Sequence, residues 1–193
     1  MIYRKLTVII LLSLYISQRN SYADALHLFT GGFSNSRISN LTFKVSSTVS
    51  SNYKDAIIKP ASNNWNNIST KVKVVETNAG SYDVIVYVVD TVKNGLFGEI
   101  RPYYFKTPEY SYVYDSCACN TWSYVELYGY ENQMTAYKFS QAEKISNFTH
   151  EFGHALSLAH TNDLSTSSVM KSGKQAIGPQ PIDKDHLCQK WGQ

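Results

Sequence analysis

The chain has little charge and few of the residues that mark fibrous or disordered proteins. Charged residues make up 17% of its 193 residues, and there are only ten glycines, five prolines and three cysteines. This composition excludes a collagen, a coiled coil and a low-complexity disordered chain. Because 43% of the residues are hydrophobic, the chain can bury a substantial core, and we expect one globular domain.

An apolar run long enough to cross a membrane, about 20 residues, is also absent. The longest run lies at positions 6–16, is about half that length and follows a short basic start. A polar stretch with small residues comes next, which completes the order typical of a secretory signal peptide. We predict a signal at residues 1–23, cut near Ala23 or Ala25, and a secreted protein without a membrane anchor. A buried N-terminal helix is the alternative.

Outside the predicted signal, the chain has no excess of charge. The formal net charge is +3, but Arg4, Lys5 and Arg19 all lie within residues 1–23, which contain no acidic residue. The rest of the chain therefore holds equal numbers of basic and acidic side chains. A neutral domain without basic clusters argues against nucleic acid or an anionic membrane surface as a partner.

Cysteine is scarce and odd in number, so an exported form of this chain can make one internal disulfide. The three residues are Cys117, Cys119 and Cys188. Cys117 and Cys119 are too close in sequence for an easy bridge, which favours a bond between one of them and Cys188. Three free thiols are the alternative.

Hydrophobic periodicity outlines a mixed α and β domain at residues 41–193, after a short lead-in at 24–40 that we expect to be extended. An apolar stripe predicts a helix at 50–68, kinked or split at Pro60. Apolar alternation and β-branched runs predict strands at 41–45, 71–77, 82–89, 95–104 and 121–130. The strand at 82–89 is nearly all apolar and is predicted to be central and covered on both faces. Tyrosines crowd between Tyr103 and Tyr137, as the rim of a cleft or as strand side chains with exposed hydroxyls.

Histidine is rare too, with five in the chain, yet three of them fall within eleven consecutive positions, 150–160. Ser140 and Glu143 form a capping box that predicts the start of a helix at this point. On that helix, His150 and His154 project from one turn and can bind one Zn²⁺ at about 2.0–2.1 Å. Glu151 completes an H-E-x-x-H motif, in which it is the general base toward a metal-bound water.

A catalytic zinc needs a third protein ligand and one open position. His160, six residues after His154, is the best candidate. No glutamate follows Glu151, which excludes the usual thermolysin-type arrangement. An aspartate, Asp163, Asp183 or Asp185, is the alternative third ligand.

The stretch H-E-F-G-H-A-L-S-L-A-H, with Met170 further on, resembles the metzincin zinc endopeptidases. Thr161 and Asp163 make the matrixins the most similar group. The resemblance implies an α+β, zincin-like fold: a twisted, mainly parallel sheet with an antiparallel edge strand, an active-site helix and a C-terminal helix at 181–192. It also implies one catalytic zinc on His150, His154 and His160, with Met170 packed beneath the metal.

The resemblance further implies a monomeric, secreted zinc-dependent endopeptidase that cleaves proteins or peptides through a water activated by Glu151. The edge strand would hold the substrate backbone at Leu96, Phe97, Gly98 and Glu99, and residues 171–181 would wall a specificity pocket. A catalytically silent binding or toxin-type module on the same scaffold is the alternative.

Three departures from the family pattern carry predictions of their own. Ser157 stands where the family has glycine, so we expect a left-handed turn with modest strain. The remaining histidines, His27 and His186, are far apart in sequence, which argues against a second zinc, although carboxylates and carbonyls would allow a structural calcium ion. The short lead-in has no cysteine for a cysteine-switch, and Asp24 or His27 is a candidate cap on the zinc of a nascent form.

Overall fold

A computed structural model describes residues 27–161 and 165–193. The predicted signal at residues 1–23, the candidate cap Asp24 and the candidate ligand Asp163 lie outside the described residues. The helices are α1 (Asn35–Ile38), α2 (Ser51–Tyr53), α3 (Lys59–Asn63), α4 (Glu131–Ala136), α5 (Gln141–Ala155) and α6 (Pro181–Trp191). The strands are β1 (Leu41–Val45), β2 (Val74–Glu76), β3 (Val84–Val89), β4 (Gly98–Lys106), β5 (Ser111–Tyr114) and β6 (Tyr124–Tyr130).

The six strands form one sheet in the order β2-β1-β3-β6-β4-β5. The first four of these pair in parallel, whereas β4 runs antiparallel to β6 and β5 antiparallel to β4. A mixed α and β fold with a mainly parallel sheet and an antiparallel edge is therefore confirmed. The segment between β4 and β6, expected to be irregular, contains β5, whose first and last residues pair with Lys106 and Tyr103.

The predicted helix at 50–68 is shorter and contains a π-helical turn, Lys54–Ile58, between α2 and α3. The extra residue in this turn shifts the helix face, so Ile57 and Ile58 are both buried while Ala56 of the predicted stripe is exposed. Pro60 lies in the first turn of α3, where its missing N–H is tolerated. No helix in the described part of the chain has the length and apolar character needed to cross a membrane.

The core lies between the helices and one face of the sheet. In β3, Val84 and Val86 are fully buried, but Ile85 and Tyr87 on the other face are only half-buried. The prediction that both faces of this strand are covered is therefore wrong. The outer face carries stacked tyrosines, such as Tyr103 on Tyr124 with ring centroids 4.6 Å apart.

The segment before β1 is part of the folded domain rather than an extended lead-in. It makes a bridge between Leu28 and Leu158, buries Phe33 and forms the short helix α1, whose Ile38 is also buried. Because its residues pack against the core, the domain begins before position 41. We call residues 27–33 the N-terminal strap.

The expected disulfide to Cys188 is wrong. Cys117 is bonded to Cys119, with their Cα atoms 5.2 Å apart, and Cys188 is a half-buried free thiol. The single residue between the bonded cysteines, Ala118, has a φ of 49°. This left-handed residue turns the chain sharply enough to bring the two side chains together, which sequence spacing alone did not suggest.

The turn after α5 has the predicted left-handed conformation. Ser157 has a φ of 66°, and its Oγ is buried without a hydrogen-bond partner in the described residues. A Cβ built on Gly32 of the N-terminal strap would lie 2.2 Å from that Oγ. The strap therefore needs a glycine at position 32 because Ser157 fills the space beside it.

Replacing Ser157 by glycine should stabilise the protein and keep its metal-binding capacity. Removal of the left-handed strain and of the unpaired hydroxyl should raise the free energy of unfolding by about 1 kcal/mol, or roughly 2–4 °C in Tm. Thermal unfolding with and without zinc measures this. Ser157→Ala is the matched control, since it removes the hydroxyl but keeps the strain. Loss of zinc in Ser157→Gly would contradict the role given to this turn.

Candidate metal centre and cleft

Helix α5 positions the first two histidines of the candidate centre. Its start is fixed by the predicted capping box, in which Ser140 N–H donates to Glu143 over 2.7 Å and Glu143 N–H donates back over 3.3 Å. Phe148 and Phe152 on its inner face are fully buried. Because both ends and the inner face are held, the histidine turn of the helix has a fixed direction.

The three predicted ligands meet at their Nε2 atoms. The Nε2 of His160 lies 3.0 Å from that of His150 and 3.1 Å from that of His154. His160 arrives from the turn at Ser157, which folds the chain back over the end of α5. The structure therefore brings together three residues that sequence reasoning selected as one site.

The tautomers of the two helical histidines follow from their partners. Nδ1 of His150 lies 2.7 Å from the carbonyl oxygen of Val169, and Nδ1 of His154 lies 2.7 Å from that of Leu158. A carbonyl oxygen only accepts, so each Nδ1 carries the proton and each Nε2 presents a lone pair. Such backbone contacts fix the direction of a histidine ligand.

Burial also keeps these imidazoles neutral, which is the form that binds a metal. Desolvation lowers the pKa of His150 to about 4, and desolvation together with the neighbouring histidines places the pKa of His154 well below its usual value. The pKa of His160 is lowered by desolvation as well. His160 is the most exposed of the three, so the cluster of histidines is open to solvent on the side of His160.

This donor set fits zinc. Three neutral imidazole nitrogens converge on one point, and the fourth side of that point is open to solvent. This arrangement matches a catalytic zinc site with three protein ligands. Tetrahedral zinc at about 2.0–2.1 Å from each nitrogen requires nitrogens about 3.3 Å apart, close to the separations found here. Asp183, an alternative third ligand, is bonded elsewhere, and neither it nor Asp185 belongs to this group.

Glu151 lies beside the histidines with its carboxylate almost completely buried. Its Oε2 has no hydrogen-bond partner among the described residues. Burial, followed by the negative charge of Glu99, raises the pKa of Glu151 well above its usual value. A divalent cation on the histidines would oppose that rise. A buried carboxylate with one oxygen that makes no hydrogen bond can bind a proton beside the three histidines.

A cleft of about 580 Å³ opens over the three histidines and Glu151. The predicted substrate residues line one wall, and residues from the predicted pocket segment 171–181 line another: Leu96, Phe97, Gly98 and Glu99, and Lys171, Ser172, Gly173 and Gln175. No tyrosine of the described residues lines this cleft. The interpretation of the tyrosines as a cleft rim is therefore wrong.

Met170 is buried against α5. A Cβ built on Gly153 would lie 2.4 Å from the sulfur of Met170 and 2.7 Å from the ring of Trp65. Gly153, between the two helical histidines, therefore lets the methionine and the tryptophan approach the helix. Thr161 N–H donates to the carbonyl of Met170 over 3.2 Å, which ties the chain after His160 to the same turn.

Asp183 is an important supporting residue that sequence reasoning did not find in this role. Its fully buried carboxylate accepts from Val169 N–H over 2.9 Å and from the hydroxyl of Ser168 over 2.5 Å. Val169 in turn offers the carbonyl that orients His150. An acidic residue in the first turn of the predicted C-terminal helix was the available signal, but its partner could not be read from the sequence.

The N-terminal strap supports the third ligand from the opposite side. His27 Nδ1 lies 2.9 Å from the carbonyl of His160, and Phe29 stacks on the ring of His154 at 5.7 Å. Lys190 of α6 donates to the carbonyls of Phe29 and Gly31 over 2.6 and 3.0 Å. The strap is thereby fixed between residues 157–160 and helix α6.

His27 has a different place from the one suggested for it. Its Nδ1 contacts the backbone of His160, and its ring stacks on His186 with centroids 5.2 Å apart. The two histidines that are distant in sequence are thus neighbours. Among the described residues, the only other group of three metal-binding side chains is Asp115, Cys117 and Cys119, so the calcium ion stays a prediction without a candidate site.

A comparison with models of known protein families returned no match for this chain, and neither did a comparison with curated protein sequences. The function therefore has to be argued from the residues and geometry of the site.

Replacing Asp183 by asparagine should weaken zinc binding about tenfold, because it loosens the carbonyl that orients His150. Competition with a chelator, followed by metal analysis, measures the affinity. Asp185→Asn, an exposed acid two residues along the same helix, is the matched control and should leave the affinity unchanged. Equal affinities in both variants would contradict the supporting role of Asp183.

Proposed function

We propose that this protein is a secreted, zinc-dependent endopeptidase of the metzincin type. The observation that carries the proposal is the meeting of three neutral histidines at 3.0–3.1 Å beside a buried glutamate, within an open cleft. Three nitrogen ligands and a carboxylate that binds no metal are the components of hydrolysis by a metal-bound water. Secretion rests on the sequence of residues 1–23.

Each residue of the site has one task in this chemistry. His150, His154 and His160 would hold the zinc, which when bound supplies a water of lowered pKa and polarises a carbonyl. Glu151 would take a proton from the attacking water and deliver it to the leaving amine. Its confinement against Gly98, whose added Cβ would lie 2.6 Å from Oε1, keeps the carboxylate directed at the reacting group.

The edge of β4 supports a peptide as the substrate. Tyr130 N–H donates to the carbonyl of Phe97, and Asp115 N–H donates to the carbonyl of Pro102. The backbone groups of the odd-numbered residues of this strand therefore point to β6, and those of the even-numbered residues point to the opposite side. Gly98 and Ile100 therefore direct their backbone groups to the outer side. In the described chain, β5 pairs with β4 only from Tyr103 onward, which leaves this stretch able to accept an extended peptide.

The arrangement of elements also agrees with the metzincin interpretation. A mainly parallel sheet with an antiparallel edge, a buried helix with the H-E-x-x-H motif and a final helix are what that family requires. The buried Met170 and the left-handed residue at position 157 support it further. We propose that the protein holds a single catalytic zinc and is a monomer.

Replacing Glu151 by alanine should abolish peptide cleavage while zinc stays bound. Loss of the general base should lower kcat by at least roughly 100-fold, because Glu99, the other carboxylate among the described residues that line the cleft, is already held by Arg101 and Tyr130. A peptide-library digest with metal analysis measures both quantities. Glu109→Ala, at an exposed glutamate of the β4–β5 hairpin, is the control. A wild-type protein that binds zinc but cleaves no peptide would favour a silent binding module.

Replacing Gly98 by alanine should lower kcat up to roughly 100-fold without loss of zinc, since the new methyl group displaces the Glu151 carboxylate. Gly80→Ala is the matched control, because a Cβ at that position meets nothing within 4 Å. Steady-state kinetics of both variants distinguish them. Unchanged kcat in Gly98→Ala would mean that the contact with Glu151 does not position it.

A further inference from the structure

The loop between β5 and β6 holds a disulfide that is open to solvent. Cys117 and Cys119 are both exposed, and a single residue separates them. Exposed disulfides are the ones that soluble thiols can attack, whereas buried structural ones resist exchange. The bond is therefore accessible to chemistry that the metal centre does not use.

A buried carboxylate next to the disulfide favours its reduced form. Asp115 is 2% exposed and is held by Trp122 Nε1 at 3.1 Å and Asn120 N–H at 2.9 Å. Its Oδ1 lies 3.1 Å from the sulfur of Cys117 and 3.8 Å from that of Cys119. Neither a disulfide sulfur nor a carboxylate oxygen has a proton to share, whereas a thiol donates to the same oxygen.

A cavity beside the disulfide provides a place for an incoming thiol. Its volume is about 320 Å³, and Cys119, Gly31, Asn120 and Lys190 are among its lining residues. A lysine ammonium in the lining stabilises a thiolate, which is the nucleophilic form of the group. Attack from this cavity is therefore directed at the sulfur of Cys119.

The backbone of the loop keeps the two sulfurs together when the bond opens. Ala118 accepts from Gly31 N–H over 2.9 Å, and Asn120 accepts from Gly32 N–H over 3.0 Å. Ala118 N–H also donates to the carbonyl of Asp115 over 3.0 Å. Because these bonds do not depend on the disulfide, the two thiols stay close together in the reduced loop, and the disulfide can form again.

We propose that Cys117 and Cys119 form a thiol–disulfide exchange site for cysteine thiols of peptides or proteins. A substrate thiolate attacks Cys119 Sγ, the S–S bond breaks, and its electron pair goes to Cys117 Sγ. Cys117 takes a proton from water and donates it in a hydrogen bond to Asp115. A second substrate thiolate attacks the substrate sulfur of the mixed disulfide and releases Cys119 as a thiolate, which takes a proton from water. Two electrons and two protons pass from two substrate thiols to the protein.

Reduced glutathione is the probe for this site, used on the full mature chain with alkylation of thiols and mass spectrometry. We expect reversible reduction of the disulfide in the folded protein and oxidation of two glutathiones for each bond opened. In Cys117→Ser, where Cys119 is a free thiol, oxidised glutathione should form a mixed disulfide on Cys119 and release one reduced glutathione. Cys188→Ser is the control and should leave the exchange unchanged.

Asp115→Asn should shift the thiol–disulfide equilibrium about fivefold toward the disulfide, the ratio that one ordinary hydrogen bond supplies. A disulfide that stays intact in excess glutathione while the protein is folded would overturn the proposal, whether or not the Asp115 variant folds. So would a reaction of oxidised glutathione with Cys119 in Cys117→Ser that is no faster than its reaction with Cys188. None of these readouts depends on zinc or on peptide cleavage.

Discussion

The candidate site depends on two backbone carbonyls that accept from imidazole nitrogens. The carbonyl of Val169 accepts from Nδ1 of His150, and that of Leu158 accepts from Nδ1 of His154, each over 2.7 Å. Both Nε2 lone pairs are therefore directed at the point that His160 also reaches. If either carbonyl moved, its imidazole would turn and the three nitrogens would no longer converge. Much of the surrounding structure, including Asp183 and the turn at Ser157, keeps these two oxygens in place.

Those supports come from opposite ends of the chain. Asp183 in α6 fixes the segment that contains Val169. The N-terminal strap lies along residues 157–160 and is fixed by Lys190. Helix α5 contributes two of the three candidate ligands but not the backbone carbonyls that orient them. The site is therefore a property of the whole domain, although its recognisable residues occupy a short stretch.

Short-range patterns in the sequence predicted five of the six strands, the capping box at Ser140 and the histidine triad, because each depends on neighbours a few residues apart. The left-handed turn at Ser157 followed from the resemblance, since the family has glycine at that position. The Cys117–Cys119 bond was not predicted, because it needs the left-handed conformation of Ala118. The partner of Asp183 was not predicted either, because that contact joins segments that are apart in sequence. The open outer face of β3 was missed because Ile85 and Tyr87 suit a buried or a half-exposed position equally well.

The position of helix α6 has a consequence for the way in which the centre can be lost. Lys190 fixes the N-terminal strap, and Asp183 fixes the segment that contains Val169, so one helix secures both sides of the histidine group. Local unfolding of α6 would release both supports at the same time. The three histidines would remain on the chain, but their imidazoles would lose the directions that make them converge.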